Sequence, residues 1–508
     1  MKTKYFFLAV ASLAMAACSD VDDVQQNELP FAGIEKGYLS VNLNSTDVTR
    51  AAGDSYADGT AEEQAVSNAT FYFFDAAGNP FNINANGNYY NVAVADNGST
   101  VAPNIESMTN PVLVVEKYKG KFPSSIVAVV NQVGTKSLSL VELRDKLSDA
   151  GHSAGTNFIM TNSVYGDGNG AAVYGTPLTI DNFQTSVDKA LANPVTIHVE
   201  RIVAKMTVAS GQNAFDTGVK IDEQSVYAKV LGWEVISNPM ASYLIKTIDP
   251  TWDTTSLGLT WNDSPYFRSY WAGKSVAATN HSFSYSDLIN SDATVEYLGE
   301  HVGASNTERT KYIVAAQLQD AQGAAIEIAQ WYGHNYIGED ALLAAVAPTL
   351  KNKFMQFDGT NTYTNIDDSQ IRCVAGNSNA ESYEVVFQLA EGVTTDNWYM
   401  FDGVNYTHIA DPNAELAKVE PAKIWKSGMT YYYADVKHLG TPGSVSEYGI
   451  VRNHCYNITI KGVNGWGTPI YDPEQQVVPV KPSDKETYIS AEINVLSWRV
   501  VSYDATLQ

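Results

Sequence analysis

The chain is poor in cysteine: 508 residues hold three, Cys18, Cys373 and Cys455. That excludes a small scaffold held together by disulfides. Cys373 and Cys455 either pair in an oxidising compartment or are buried singly, and two isolated cysteines favour single burial. Basic residues are also scarce, with 32 Lys and Arg against 56 Asp and Glu, a formal charge of −24 and no Lys/Arg run. Nucleic acid is therefore excluded as a partner, and anionic surfaces would repel the chain. Past the leader no stretch is apolar enough for a membrane-spanning helix. The eight histidines make no HExxH, HxH or Cys/His ligand spacing, so no metal site is expected. GxSxG, Walker and GxGxxG motifs are missing as well. His454 and Cys455 are adjacent, which on a strand places them on opposite faces, a core cysteine beside a surface histidine. Asp167-Gly168-Asn169-Gly170 and Asp411-Pro412-Asn413 lack the spaced acidic series of a calcium loop and read as turns. Neither an enzyme nor a cofactor is expected. A surface glycoside hydrolase, which needs two carboxylates at a set separation, has the least support.

Thirty Tyr and 36 Gly, with 44% hydrophobic and only 17% charged residues, describe an extracellular β-rich chain with a real core. Tyr431-Tyr432-Tyr433 and the nine Trp read as core and cross-strand packing in preference to a glycan-binding surface. Lys2 and Lys4 precede a short apolar run, Tyr5 to Ala14, and then Met15-Ala16-Ala17-Cys18, the layout of an export leader. A cysteine ending that run is read as a lipidation site at Cys18 in preference to an ordinary leader with an incidental cysteine. Residues 19–36 are polar and acidic, a solvated tether. Leu39, Val41 and Leu43 alternate with polar residues, a half-buried strand, and Thr49-Arg50-Ala51-Ala52-Gly53-Asp54 reads as an exposed loop of the kind proteases cut.

Strand signals then recur. Val112–Val115 and Ile126–Val130 suit strands buried on both faces, and Val195 to Val208 is strand-like along most of its length and closes a first domain. Leu138, Leu140, Leu143 and Leu147 space out a short helix, and Ala341 to Leu350 another, limited by Pro348. Residues 472–486, with three prolines, read as an extended linker. In the last strand Ile489, Ala491, Ile493 and Val495 form one apolar stripe, and after Val495 the phase flips to Leu496, Trp498 and Val500. Such a flip implies a bulge or a strand that serves two surfaces in turn. The strand either pairs within its own domain or is donated to a neighbour by β-strand addition. The expected class is all-β with minor helices: two β-sandwich domains in tandem and an extended C-terminal strand.

The lipobox at Cys18, the strand at 38–43, Thr49-Arg50-Ala51-Ala52-Gly53, Val199 to Lys205, Tyr448 to His454, Gly467-Thr468-Pro469 and Tyr488 to Leu507 occur in this order. Together they resemble a Bacteroidetes fimbrillin, most closely the shaft (main structural) subunit of minor, or short, fimbriae. The acidic residues after Cys18 resemble the surface-export signal of Bacteroidetes lipoproteins. The resemblance implies transthyretin-like sandwiches and a division into 1–18 (signal peptide), 19–50 (propeptide with a groove-filling strand), 51–215 and 216–475 (N- and C-terminal domains) and 476–508 (linker and donor strand). It further implies an outer-membrane lipoprotein precursor cut between Arg50 and Ala51 by an arginine-specific protease. That cut would remove the strand carrying Leu39, Val41 and Leu43, and the stripes from Ile489 to Val500 of the next subunit would refill the groove. The implied partners are further copies joined head to tail, anchor and tip fimbrial subunits, and host or bacterial surface receptors. A permanently lipid-anchored adhesin or glycan-binding lipoprotein is the alternative. One departure is that residues 472–486 are shorter than the segment that precedes the final strand in short-fimbria shaft subunits.

Overall fold

A computed structural model describes residues 36–44, most of 60–247 and of 273–302, and 309–376, 383–438, 447–477, 488–497 and 501–502. Strands dominate and the helices are short, as expected of an all-β chain. The first sheet contains β1 (Lys36–Asn44), β2 (Asn68–Phe74), β3 (Tyr89–Ala93), β4 (Val112–Glu116), β5 (Ser125–Val130), β6 (Met160–Asn162) and β7 (Val195–Arg201). Their order is β3-β2-β5-β6-β7-β1-β4, with Thr176–Pro177 added alongside β5.

Alternate residues of β5 feed two cores, which is why its run has no polar positions. Ile126, Ala128 and Val130 pack with Leu39, Phe71 and Ile197. Val127 and Val129 pack on the other face with Tyr72, Phe74 and Leu143. β4 departs from the expected double burial: Leu113 and Val115 are buried, whereas Val112 and Val114 are only partly so. It is the edge strand, and its second face is incompletely covered. Leu143 belongs to α1 (Leu140–Asp145), shorter than the leucine spacing implied and fixed by a capping box. Glu142 N–H donates to Ser139 Oγ (3.2 Å), and Ser139 N–H to the Glu142 carboxylate (2.7 Å).

The strand-like stretch 195–208 forms two strands in different sheets. Residues 199–204 are all buried where the chain crosses the interior, so the alternation that would betray a change of sheet is lost. Val203–Ser210 (β8) opens the second half, followed by β9 (Phe215–Ile221), β10 (Gln224–Asn238), β11 (Glu296–Gly299) and β12 (Lys311–Gln319). Then come β13 (Ile328–Trp331), β14 (His334–Ile337), β15 (Lys423–Trp425), β16 (Met429–Asp435), β17 (His454–Asn464), β18 (Thr468–Pro469), β19 (Tyr488–Ser497) and β20 (Val501–Ser502). One sheet runs β11-β8-β17-β19-β20 and the other β9-β10-β12-β16-β18. Met206, Tyr456 and Ile458 from the first meet Val226, Trp233 and Val314 from the second, a sandwich core. Tyr431 and Tyr432 are buried, as their core reading required. β10 bends at a register shift beside Gly232, where a Cβ would lie 2.0 Å from the Leu288 carbonyl oxygen, so only glycine fits.

Between the directly paired β12 and β16, residues 320–428 build a separate core from Ala329, Leu342, Phe387, Trp398 and Ile424. The helix expected near 341–350 lies here as α2 (Glu339–Val346), continued by a 3₁₀ turn through Pro348. The start of the segment read as an extended linker is instead anchored. Gln476–Val477 pairs with Phe283–Ser284, and Ser286 N–H donates to the Pro473 carbonyl (2.9 Å). Residues 478–487 lie outside the described residues.

Candidate functional site

β1 is an interior strand held from both sides. Its first half runs antiparallel to β4, from Lys36 opposite Glu116 to Ser40 opposite Val112. Its second half runs parallel to β7, from Val41 opposite Val195 to Asn44 opposite His198. Tyr38 exchanges two backbone hydrogen bonds with Gln184 (2.8 Å each), and Val41 N–H donates to Pro111 (3.1 Å). Leu39 and Val41 are both 0% exposed in the core shared with β2, β5 and β7. Two such side chains contribute about 3–6 kcal/mol of apolar burial. At Gly37 a Cβ would sit 2.8 Å from that of Phe183, so the strand fits closely. Leu43 lies opposite Ile197, and its side chain falls outside the described residues.

Among the described residues β4 has no sheet neighbour other than β1. Without β1, β4 would lose the one ladder it has among the described residues, β7 would lose one of two, and the core over Leu39 and Val41 would open to water. The resulting seat has two unpaired edges and an apolar floor, the features an incoming strand satisfies.

β19 is held differently. It pairs antiparallel with β17, from His454 opposite Ser497 to Asn464 opposite Tyr488, and β20 turns back onto Asn494 and Val495. β17 keeps β8 on its other side, so release of β19 costs one long ladder and leaves the sheet joined. The flip of stripes after Val495 has no bulge beneath it: register to β17 is continuous there, and the irregularity lies between Ile460 and Gly462 of β17. The side chains of Ile489, Ala491, Ile493, Val495 and Leu496, and all of Trp498 and Val500, lie outside the described residues. So do Cys18, Arg50 and Ala51.

Tyr448 to His454 forms a buried polar clamp where the first sheet hands over to the second. The Arg452 guanidinium is fully buried. It donates to Glu300 Oε2 (2.6 and 2.8 Å) and to the carbonyls of Tyr243 and Leu244 (2.7 and 2.9 Å). Lys246 lies 3.8 Å from Glu200 of β7 and 3.7 Å from Glu300. Asn453, at φ +56°, donates its N–H to Val203 of β8 (2.8 Å). The surface position expected for His454 is not found: it is 1% exposed, with Nδ1 2.8 Å from the Arg452 carbonyl oxygen. Burial pushes His301 down to about 4 and His438 well below its ordinary value. Cys373 and Cys455 are both buried, and no disulfide joins them. The Asp411 carboxylate caps a short helix, accepting from Ala414 N–H (3.0 Å). Asp167 to Gly170 lies outside the described residues.

Residues 423–504 match the family model described as major fimbrial subunit protein type IV, fimbrillin, C-terminal. Over that segment the chain is similar to the C-terminal region of fimbrillins. The matched segment runs from β15 through the Arg452 clamp to β19, so it includes the strand at the sheet edge. No curated protein matches the chain. Among solved structures, the chain is similar to a candidate cell adhesion protein of Bacteroides eggerthii, with 10% identity, TM-score 0.39, and 92% of this chain and 97% of that one covered. It is also similar to a fimbrial assembly protein of Parabacteroides distasonis (15%, TM-score 0.33, 70% and 96% covered). A third is the tip fimbrial protein Mfa3 of Porphyromonas gingivalis, solved with a C-terminal truncation (11%, TM-score 0.31, 91% and 100% covered). Likeness at that level assigns no role.

Sequence reasoning missed the clamp and the 320–428 core. Arg452 looks like any surface arginine until its partners, more than 150 residues upstream, are placed beside it. It also missed an aromatic sheet face outside the main cores, where Tyr363 stacks on Tyr406 (3.7 Å) and meets Phe357 and Tyr399 edge-on or tilted.

Proposed function

We propose that this chain is a structural subunit of a cell-surface fimbria, exported as a lipoprotein precursor and polymerised by donor-strand exchange. One observation carries the reading. The strand just upstream of Arg50 is an interior strand of the first sheet, and it buries Leu39 and Val41 completely.

A lipid on Cys18, with acyl chains such as palmitate, holds the precursor at the outer membrane while β1 fills its own seat. An arginine-specific protease cuts between Arg50 and Ala51, and the chain 19–50 leaves with β1. The mature molecule then comprises an N-terminal domain, a C-terminal domain that opens with β8, and a C-terminal donor strand, the two domains being transthyretin-like sandwiches. The seat between β4 and β7 takes the C-terminal strand of the next copy. Ile489, Ala491, Ile493 and Val495 supply the stripe that replaces Leu39, Val41 and Leu43, while Leu496, Trp498 and Val500 serve the second surface. Backbone pairing and apolar burial drive the exchange. A head-to-tail contact that does not close a ring extends into a filament. A shaft position, with separate anchor and tip subunits and surface receptors as further partners, fits a chain that carries both Arg50 and a terminal strand.

N-terminal sequencing of protein recovered from the cell surface tests this. A start at Ala51 is expected; a blocked, lipid-modified Cys18 on assembled protein would instead establish a permanently anchored adhesin.

A further inference from the structure

β14, β13 and β15 lie side by side, and their register sets three polar side chains in one row. Asn335 is opposite Gln330, and Gln330 is opposite Lys423. This row forms one wall of a cleft of about 500 Å³ whose other wall is the turn Gly465 to Pro469. That turn is fixed in advance. Tyr432 Oη donates to the Gly465 carbonyl (3.0 Å), Trp425 Nε1 to that of Trp466 (3.0 Å), and Thr430 Oγ1 to those of Trp466 (2.6 Å) and Thr468 (2.9 Å). Gly467, at φ +70°, could carry no side chain here, because a Cβ would lie 2.4 Å from Thr430 Oγ1. A wall already ordered costs a ligand little entropy.

The chemistry of the cleft is specific. Gln330 Nε2 donates to Asn335 Oδ1 (3.1 Å), which leaves Gln330 Oε1 as an acceptor and Asn335 Nδ2 as a donor with no partner among the described residues. Tyr383, half-buried, adds ring surface, while Trp466 lends its backbone to the wall and packs its ring in the sandwich core. The Lys423 ammonium lies 5.4 Å from the Tyr383 ring centroid and forms no ion pair among the described residues. In a chain of formal charge −24, no Asp or Glu lines this cleft among the described residues, and Lys423 is the sole charged lining residue among them. Aromatic surface beside paired amide groups suits a sugar ring, whose C–H face stacks and whose hydroxyls both donate and accept. An ammonium with no carboxylate among the described lining residues suits an anionic substituent.

We infer that the cleft between Asn335–Gln330–Lys423 and the Gly465–Pro469 turn binds a carboxylate-bearing saccharide. The site is independent of the strand seat, so it stands or falls separately from polymerisation.

The test uses the full chain carrying Arg50→Ala, so that assembly does not intervene. Sialyllactose and a glucuronate disaccharide serve as probes, with lactose and acetate as controls, read by saturation-transfer NMR and calorimetry. Saturable binding of at least one acidic saccharide is expected, with lactose weaker by about tenfold and acetate unable to compete at equal concentration. Lys423→Gln is expected to weaken binding by about tenfold and Asn335→Ala by a smaller factor. Lys351→Gln, an exposed lysine elsewhere in the insert, should leave binding unchanged. Lack of saturation by either acidic probe, equal binding of lactose, displacement by acetate, or full affinity in a folded Lys423→Gln chain would each overturn the assignment.

Discussion

Arg452 is buried with its guanidinium shared between one carboxylate and two backbone carbonyls. Replacing it by Met strands Glu300 in the interior with only Lys246 nearby, and stability should fall by about 3 kcal/mol or more. Denaturant unfolding measures this, and a loss below about 1 kcal/mol would show that the clamp is not structural. The neighbouring histidines give the fold an acid edge. A histidine whose folded pKa lies below its free value takes up its proton more readily when unfolded, so acid favours unfolding. For His301 the window runs from 6.5 down to about 4, worth roughly 3 kcal/mol once fully traversed. His438 is displaced in the same direction, likewise by burial. Glu296, raised to about 7 by burial and by Glu234, acts in the opposite sense between 4.5 and 7, one proton against two. The melting temperature should therefore fall on going from pH 6.5 to 4.5, and His301→Asn should flatten that slope; a slope unchanged in the variant would contradict the assignment. None of this was legible in the sequence. His454 reads as a surface residue because local pattern says nothing of what a distant segment lays over it.

At the scale of elements, β1 is the piece whose removal has the largest consequence. Leu39→Asp should destabilise the uncleaved chain by about 3–5 kcal/mol, because a carboxylate would enter a site 0% exposed to water. The same substitution should leave the chain that begins at Ala51 unaffected, since that chain no longer contains residue 39. Melting curves before and after proteolysis separate the two, and an unchanged uncleaved chain would place β1 outside the core. Alternation of Leu39, Val41 and Leu43 made this strand readable, as did the unbroken apolar run of β5. The double burial expected of β4 was not found, and the change of sheet within 195–208 went unseen, for related reasons. An edge strand can carry an apolar run with its second face half covered, and a chain passing from one sheet to another through the interior loses its alternation. The stripe flip after Val495 was visible too, but it does not mark the irregularity, which lies in β17 opposite Ser490 and Ala491.

For the molecule as a whole, composition pointed correctly to an all-β chain, while the core of residues 320–428 went unseen. Its strands are three to five residues long, too short to display a period, and it interrupts two strands that pair directly. The account of the whole rests on moving one strand out and another in, and filament formation tests that most directly. Wild-type chain, an Arg50→Ala chain and a chain ending at Lys485 are each purified, treated with an arginine-specific protease and viewed by electron microscopy. Filaments are expected from the wild type alone. Cleaved chain ending at Lys485 should cap growth when mixed with wild type, because it accepts a strand and has none to give. Filaments from either altered chain by itself would contradict donor-strand exchange through β19 into the seat of β1.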